Sequence, residues 1–311
     1  MQPTPLPLSP PVHSAAGSAL TVGAFLRAHR TAVLATLVGF AVLFFPTAAG
    51  LATAAWEDDD FSHCLLVPFV SGAILLSRRR SIAACSIGKH TLGVAALAVA
   101  LVLFAVGRAT NINVFQRVGM LGAIVAWILA LLGGSVVWNN RFPFFFLVMA
   151  VPLPFDVYSQ LSIRLRDLAT RLSAGMLQVT GIPVFNDGNL LHVGDEDLKV
   201  ADACSGIRSL LAIISVALLL GYLMEAGLVK GAIVAAVAVP VTLAVNAFRI
   251  YITAVALHSW EIDLREGTLH ECMGFLTFAL SLCLLWAAWW GVEWVARGRP
   301  SRAGGEERSS P

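Results

Sequence analysis

The chain contains few charged residues for its length. Only 13% of its 311 residues are Asp, Glu, Lys or Arg, whereas 58% are hydrophobic and the mean hydropathy is +0.79. Because a soluble domain is nearer a quarter charged and half apolar, this composition excludes an ordinary soluble enzyme and a disordered chain. The net charge of +2 gives no reason to expect a nucleic-acid partner.

Cysteine is also scarce. Five cysteines in 311 residues are too few for a secreted disulfide scaffold. The spacings typical of zinc sites, CxxC and HExxH, are missing, and so is any internal repeat. The sequence therefore predicts no resident metal and no cofactor.

Long apolar runs are the main feature of the sequence. About 20 apolar residues cross the hydrocarbon core of a bilayer, and eight segments approach or exceed that length. The eight runs are 31–56, 61–77, 91–107, 118–138, 142–155, 205–227, 231–257 and 272–295. We predict an all-α, polytopic integral membrane protein with about eight transmembrane helices. The fifth run is the weakest candidate, because it is short and contains Pro152 and Pro154.

The two ends of the chain differ from its middle. Five of the 14 prolines lie in the first 18 residues, so we expect a disordered, proline-rich segment over 1–18. A single transmembrane domain is predicted over 19–296, followed by a basic cytoplasmic segment over 297–311. The run at 31–56 is too long for the hydrophobic part of a signal peptide, so we expect a retained first span.

Basic residues in the loops predict the orientation. Arg27, Arg30 and the Arg78–Arg80 run mark inner loops, and more Lys and Arg fall on that side than on the other. The loop Trp56–Asp60 has no basic residue and is predicted to lie outside, with its acidic run solvated. Both termini are then cytoplasmic.

The segment 156–203 is the longest predicted outer region. An apolar stripe at steps of three and four predicts an amphipathic helix. The stripe consists of Tyr158, Leu161, Leu165, Leu168, Leu172, Met176 and Val179. We expect this helix to lie on the outer leaflet, with packing against the spans as the alternative. Asn186-Asp187-Gly188 then predicts a turn between short extended pieces.

Three residues at predicted outer span ends carry candidate chemistry. Arg249 lies about 12 Å below the end of its span, where an Arg needs a partner or a wet cavity. Cys204 lies where the outer segment enters the sixth span, and a helix start lowers the pKa of a thiol. His270 precedes the eighth span and is able to transfer protons. Each has a structural alternative: a snorkelling Arg, an inert or disulfide-bonded Cys, and a solvated His.

Together these three side chains suit acyl transfer. A thiolate attacks a carbonyl, an imidazole handles protons and a fixed cation stabilises the oxyanion or the thiolate. Two alternatives use the same region. One is a disulfide between Cys204 and Cys272. The other is a zinc site, and its candidate ligands are Cys64, Cys204, Cys272, His63 and His270.

The order of short motifs resembles the exosortase/archaeosortase family over about residues 56–290. The matching motifs are Phe61-Ser62-His63 with Val67-Pro68, Arg141-Phe142-Pro143, Val151-Pro152-Leu153-Pro154, Asp202-Ala203-Cys204-Ser205-Gly206, Asn246-Ala247-x-Arg249 and His270. The Cys-Ser-Gly block followed by Asn-x-x-Arg and His is the specific part.

The resemblance implies a membrane-embedded cysteine transpeptidase of the bacterial inner membrane, with its site facing the periplasm. Such enzymes are thought to cleave exported proteins at a C-terminal sorting sequence, often Pro-Glu-Pro followed by a transmembrane helix and a basic cluster. The resemblance implies that Cys204 is the nucleophile, that Arg249 stabilises the oxyanion or the thiolate, and that His270 is the general acid and base. The implied partners are these membrane-anchored protein substrates and the lipid bilayer.

Four further residues are implied as supporting or substrate-binding groups. They are Asp202, Ser205, Asn246 and His63. Cys64 departs from the family, where a Gly is expected after Ser-His, and this leaves the role of His63 open. A non-catalytic transporter or polysaccharide-export component is the main alternative function.

Overall fold

The computed structural model describes residues 20–88, 91–194, 196–200, 206–225, 227–265 and 267–297, and the helical architecture is the one predicted. The helices are α1 (Val22–Ala28), α2 (Arg30–Glu57), α3 (Ser62–Ser77), α4 (Arg79–Ala84), α5 (Thr91–Thr110), α6 (Asn113–Leu132), α7 (Gly134–Asn139), α8 (Arg141–Phe146), α9 (Phe155–Val179), α10 (Ile207–Leu223), α11 (Gly227–Trp260) and α12 (Gly267–Arg297). Three strands follow α9: β1 (Val184–Asp187), β2 (Leu190–Val193) and β3 (Glu196–Lys199).

Each of the eight apolar runs contains helix within its described residues. Five helices of the described chain are long and apolar enough to cross a membrane: α2, α5, α6, α11 and α12. The helical stretches Arg141–Ala150 and Phe155–Val179 qualify together as one span bent by 82°, whereas α3 and α10 are shorter apolar helices. The chain is therefore a multi-pass membrane protein with five to six candidate spans by length and composition among the described residues, and the predicted number of eight is not confirmed.

Two predicted runs are interrupted. The helix in the run 118–138 ends at Leu132, because Gly133 has a φ of +88°. A Cβ at Gly133 would lie 2.5 Å from the backbone nitrogen of Gly88. The run 142–155 is helical only to Ala150, since Pro152 and Pro154 remove backbone donors before α9 begins. Both boundaries of the sequence prediction are wrong here.

Small residues allow the spans to pack closely. In the antiparallel pair α5 and α6, a Cβ on Gly93 would lie 2.3 Å from the backbone nitrogen of Ala130. Without a hydrophobic driving force between helices in lipid, such close backbone contact is a main source of association. Buried side chains of α10, α11 and α12 form one hydrophobic cluster, which includes Ile213, Ala238 and Trp289.

The amphipathic helix α9 has part of its apolar stripe exposed. Its protein-facing side is made mostly of small residues such as Ala169, Thr170 and Ser173, together with Leu177, and it packs against α11 and the sheet. Leu168, Leu172 and the rest of the predicted stripe toward Val179 are exposed. α9 therefore packs on a span, as the alternative interpretation expects, and it also presents an apolar surface to its surroundings.

The three strands form an antiparallel sheet in the order β1-β2-β3. Asp187 pairs with Leu190 across the predicted turn, where Gly188 has a φ of +65°. Buried side chains of the sheet pack against α11, among them Leu191 and Leu198 against Ala247. The sequence predicted the extended pieces on either side of the turn, and the structure adds a third strand.

The two ends of the helical bundle match the predicted loop sides. Ser62, Gly206, Arg249 and His270, from predicted outer segments, line one cavity. The predicted inner residues Arg78, Arg141, Tyr222 and Gly231 line another. We call these the site end and the opposite end. The predicted segment 1–18 lies outside the described residues, as does nearly all of 297–311.

Candidate active site

A polar cavity of about 480 Å³ opens at the site end between α10, α11 and α12. Its rim carries Gly206, Arg208, Arg249, His270 and Glu271. Its deeper wall carries Thr242, Thr277 and Ser281 from α11 and α12. A polar cavity of this size is what an Arg within an apolar helix requires.

Arg249 and His270 contact each other in this cavity. Arg249 Nη2 lies 2.8 Å from His270 Nε2 and 3.5 Å from the backbone oxygen of His270. α11 supplies the Arg and the first turn of α12 supplies the His, so the packing of two spans sets the pair. The guanidinium also lies over Gly274, where a Cβ would be 3.7 Å from Nη2.

The hydrogen bonds assign the protonation of the imidazole. A guanidinium only donates, so His270 Nε2 accepts and carries no proton. His270 Nδ1 lies 3.2 Å from the backbone oxygen of Leu264, which only accepts, so Nδ1 carries the proton. His270 is therefore a neutral imidazole whose basic nitrogen faces Arg249 and the cavity.

The loop before α12 holds that backbone acceptor in place. Arg265 binds Asp263 in a bidentate pair, with Nη2 2.8 Å from Oδ2 and Nε 2.9 Å from Oδ1. Arg265 Nη1 also donates to the backbone oxygen of Asp197 in β3 at 3.3 Å. The hydrogen bonds from Arg265 lower the pKa of Asp263 to about 2. Leu264 lies between Asp263 and Arg265 in the chain, so these hydrogen bonds connect it to the sheet.

Gly206 brings the start of α10 against α11. Its φ of +74° lies in the left-handed region, and a Cβ there would be 3.1 Å from Asn246 Cγ and Nδ2. Asn246 is buried and lies on α11 one turn before Arg249. Only glycine suits both the backbone conformation and the contact. Asn246 is thus the predicted supporting residue that the structure brings to the cavity.

An ion pair connects the start of α10 to the loop after α2. Arg208 Nε lies 2.7 Å from Asp60 Oδ1, and the hydroxyl of Tyr158 donates to Asp60 Oδ2. The Asp60 backbone nitrogen binds Asp58 Oδ1 at 2.9 Å. The prediction that the whole acidic run is solvated is therefore wrong for Asp60. It joins the loop after α2, the start of α9 and the start of α10.

Thr242 has a buried hydroxyl beside the cavity. Its side chain lines the deeper wall, and its hydroxyl has no hydrogen-bond partner among the described residues. A buried hydroxyl without a partner costs about 1–3 kcal/mol.

The remaining predicted site residues lie elsewhere or outside the described chain. Cys204, Asp202 and Ser205 fall in the segment 201–205, outside the described residues. His63 lines a separate, largely apolar cleft with Phe61, and its Nε2 is 3.6 Å from the buried Cys64 sulfur. Only Ser62 of that motif lines the polar cavity.

The described residues contain no group of three His, Cys, Asp or Glu side chains close enough to hold a metal ion. The zinc alternative therefore has no ligand set within this part of the chain. The disulfide alternative involves Cys204 and lies outside it, although Cys272 itself is exposed.

Sequence reasoning missed Arg208, Asp60 and Tyr158. In the sequence, Arg208 is marked only as a basic residue at a span edge. The one available signal is an Arg four residues after the candidate thiol together with an acidic outer loop. That signal does not identify which of four neighbouring acids is the partner.

Comparison with known proteins gives one match. The family model of transmembrane exosortases matches residues 55–287, which is well over half of the chain. No curated protein and no solved structure matches it.

Proposed function

The chain belongs to the transmembrane exosortase family, and from this premise we propose that it is a membrane cysteine transpeptidase. It cleaves the C-terminal sorting sequence of exported proteins at the outer face of the bacterial inner membrane. The observation that carries the proposal is the contact between Arg249 and the basic nitrogen of His270 inside a polar cavity.

Cys204 is the proposed nucleophile. It precedes Gly206 by two residues, and covalent geometry keeps the two Cα atoms within about 8 Å of each other. Gly206 lines the cavity together with His270 and Arg249, and we propose that the thiol acts there. Asp202 and Ser205 flank Cys204 in the sequence and are proposed supporting residues. Asn246 supports the turn at Gly206. For His63 we propose only a role in substrate binding.

The proposed reaction proceeds through a thioester. His270 Nε2 takes the proton of the Cys204 thiol as Arg249 transfers its hydrogen bond away from that nitrogen, and the sulfur attacks the scissile carbonyl carbon. Arg249 then stabilises the negative charge on the carbonyl oxygen or on the thiolate. The C–N bond breaks, and His270 gives the proton to the leaving amine. An acceptor nucleophile attacks the thioester carbonyl and transfers its proton to His270, the C–S bond breaks, and His270 returns the proton to the Cys204 sulfur.

Membrane anchoring explains why such a site lies at a span end. A substrate held by its own transmembrane helix presents its cleavage motif at the outer interface, where tethering gives a high effective concentration. The distribution of basic residues supports the same side, because the arginine-rich loops fall at the opposite end.

The test is processing of a reporter that carries a sorting sequence from an exported protein of the same cell. We expect Cys204→Ala, Arg249→Ala and His270→Ala to abolish cleavage at matched membrane levels. Cys64→Ala and Cys272→Ala, the matched thiol controls, should cleave normally. A thioester between Cys204 and the substrate, released by hydroxylamine, should be visible by mass spectrometry.

Cleavage by Cys204→Ala would overturn the proposal. It would favour the transporter or polysaccharide-export alternative, in which Arg249 binds an anionic solute. Loss of cleavage in a control thiol variant would instead move the nucleophile to that cysteine.

A further inference from the structure

A second cavity, of about 710 Å³, lies at the opposite end of the bundle. It is formed where α3 ends, where α7 meets α8, and where α10 passes into α11. A Cβ on Gly221 would be 2.9 Å from the Cα of Gly231, so α10 and α11 touch directly at one wall. The proposed reaction makes no use of this cavity.

Two arginines give the cavity an excess of positive charge. Arg78 donates to the backbone oxygen of Asn139 at 3.1 Å and lies 5.6 Å from the ring centroid of Tyr222. Arg141 lies 5.6 Å from the ring centroid of Trp138. Neither forms an ion pair with a carboxylate of the described chain. Glu225 is the single acidic side chain among the described lining residues, so two cations face one anion.

The other half of the cavity is apolar. Phe142 stacks on Tyr222 with the ring centroids 4.1 Å apart, and Phe145 and Leu218 continue the wall. Phe145 and Trp138 are largely exposed, as are aromatic side chains that lie at a membrane interface. Cationic groups at one side and an apolar wall at the other match an amphiphile with an anionic head.

We propose that this cavity binds an anionic phospholipid of the inner leaflet. The phosphate lies between Arg78 and Arg141, each of which can donate two hydrogen bonds to its oxygens. An acyl chain follows Phe145 and Leu218. Arg79 and Arg80, which are exposed and do not line the cavity, add a general attraction for anionic lipid. The apolar wall is what favours a lipid over free phosphate.

The test uses the purified full-length chain and native mass spectrometry, with phosphatidylglycerol or phosphatidylcholine as probe. The wild type should retain phosphatidylglycerol and bind it about tenfold or more tightly than Arg78→Gln/Arg141→Gln. The control variant Arg79→Gln/Arg80→Gln loses the same charge outside the cavity and should lose only a small part of the affinity for phosphatidylglycerol. Thermal unfolding should show the same order.

Three results would overturn the proposal. An equal loss in both double variants would mean diffuse electrostatic attraction. Equal retention of phosphatidylcholine would mean that the cations do not select the head group. Equal stabilisation by inorganic phosphate would assign a free-anion site. If the double variant does not fold, Arg78→Gln and Arg141→Gln are tested singly, and each should lose part of the affinity.

Discussion

Arg208 Nε and Asp60 Oδ1 lie 2.7 Å apart, although 148 residues separate them in the chain. The pair connects the loop after α2 to the first turn of α10, directly after the proposed nucleophile segment. Both side chains are partly exposed, at 47% and 28%, so the contribution of the pair to stability is small. The pair serves to position the start of α10 against the loop after α2, whereas Asn246 contacts it from α11.

Asp60→Ala should therefore reduce processing much more than stability. We expect the rate to fall about tenfold, because the start of α10 loses one of its two anchors, while unfolding free energy changes by less than about 1 kcal/mol. The control is Glu57→Ala, because Glu57 is an exposed acid at the end of α2. This variant should behave like the wild type. Equal activity of the two variants would contradict the anchoring role.

Arg249→Lys should be nearly inactive despite its retained charge. Arg249 makes both of its contacts with His270 through Nη2, and the flexible stem of a lysine does not hold its ammonium where the planar guanidinium holds that nitrogen. We expect a loss of about 10²–10³ in rate, typical for one oxyanion-stabilising donor. The measurement is reporter processing at matched protein levels. Arg164→Lys on the exposed side of α9 should be neutral, and wild-type activity in Arg249→Lys would refute the geometric requirement.

Gly206→Ala should impair both folding and activity. The left-handed backbone costs about 1–2 kcal/mol for a residue with a Cβ, and the contact with Asn246 adds to that. Gly175→Ala in α9 is the matched control, because a Cβ at that position would meet nothing within 4 Å. Adding Asn246→Ala should relieve only the steric part in a thermal unfolding experiment. A fully stable Gly206→Ala protein would be inconsistent with this account.

The loop pair of Asp263 and Arg265 should be insensitive to pH across the working range. The pKa of Asp263 is lowered to about 2 from 3.8, so its stabilising effect is complete above the unfolded value and is lost only as pH falls from about 4 toward 2. Because the pair is exposed, we expect Asp263→Asn to slow processing only about two- to fivefold. The ratio of wild-type to variant rates should stay constant from about pH 5 to 8, with Glu261→Gln as control. A titration of that ratio within this range would disprove the assignment.

Polar substitutions on the exposed stripe of α9 should impair processing if lipid holds that helix. Leu168→Asn/Leu172→Asn removes apolar surface from side chains that are 44% and 43% exposed, so a helix held by packing alone would lose much less than one that also binds lipid. We expect a severalfold loss of processing with unchanged expression. Arg164→Asn, also exposed on α9, should have little effect, and normal processing by the double variant would rule out a lipid role.

The sequence predicted most of the spans and placed Arg249 and His270 at the same end of the bundle. Both follow from local signals: apolar length, and the charges of the loops. The end of the helix in the run 118–138 was missed, because Gly133 lies against Gly88, which is distant in the chain. The partnership of Asp60 with Arg208 was missed for the same reason, since it depends on how α2, α9 and α10 meet.

The exposed apolar stripe of α9 has a consequence for the sheet and the site. A water-soluble protein holds such a helix by burying its apolar side, but α9 buries mostly small residues against α11 and leaves apolar side chains from Leu168 to Val179 exposed. We propose that acyl chains cover this exposed surface and keep α9 in place. The sheet packed on α9, and through Arg265 the loop that orients His270, would then depend on the same lipid. On this proposal the bilayer acts as an outer layer of the tertiary structure, and its removal takes away one support of the candidate site.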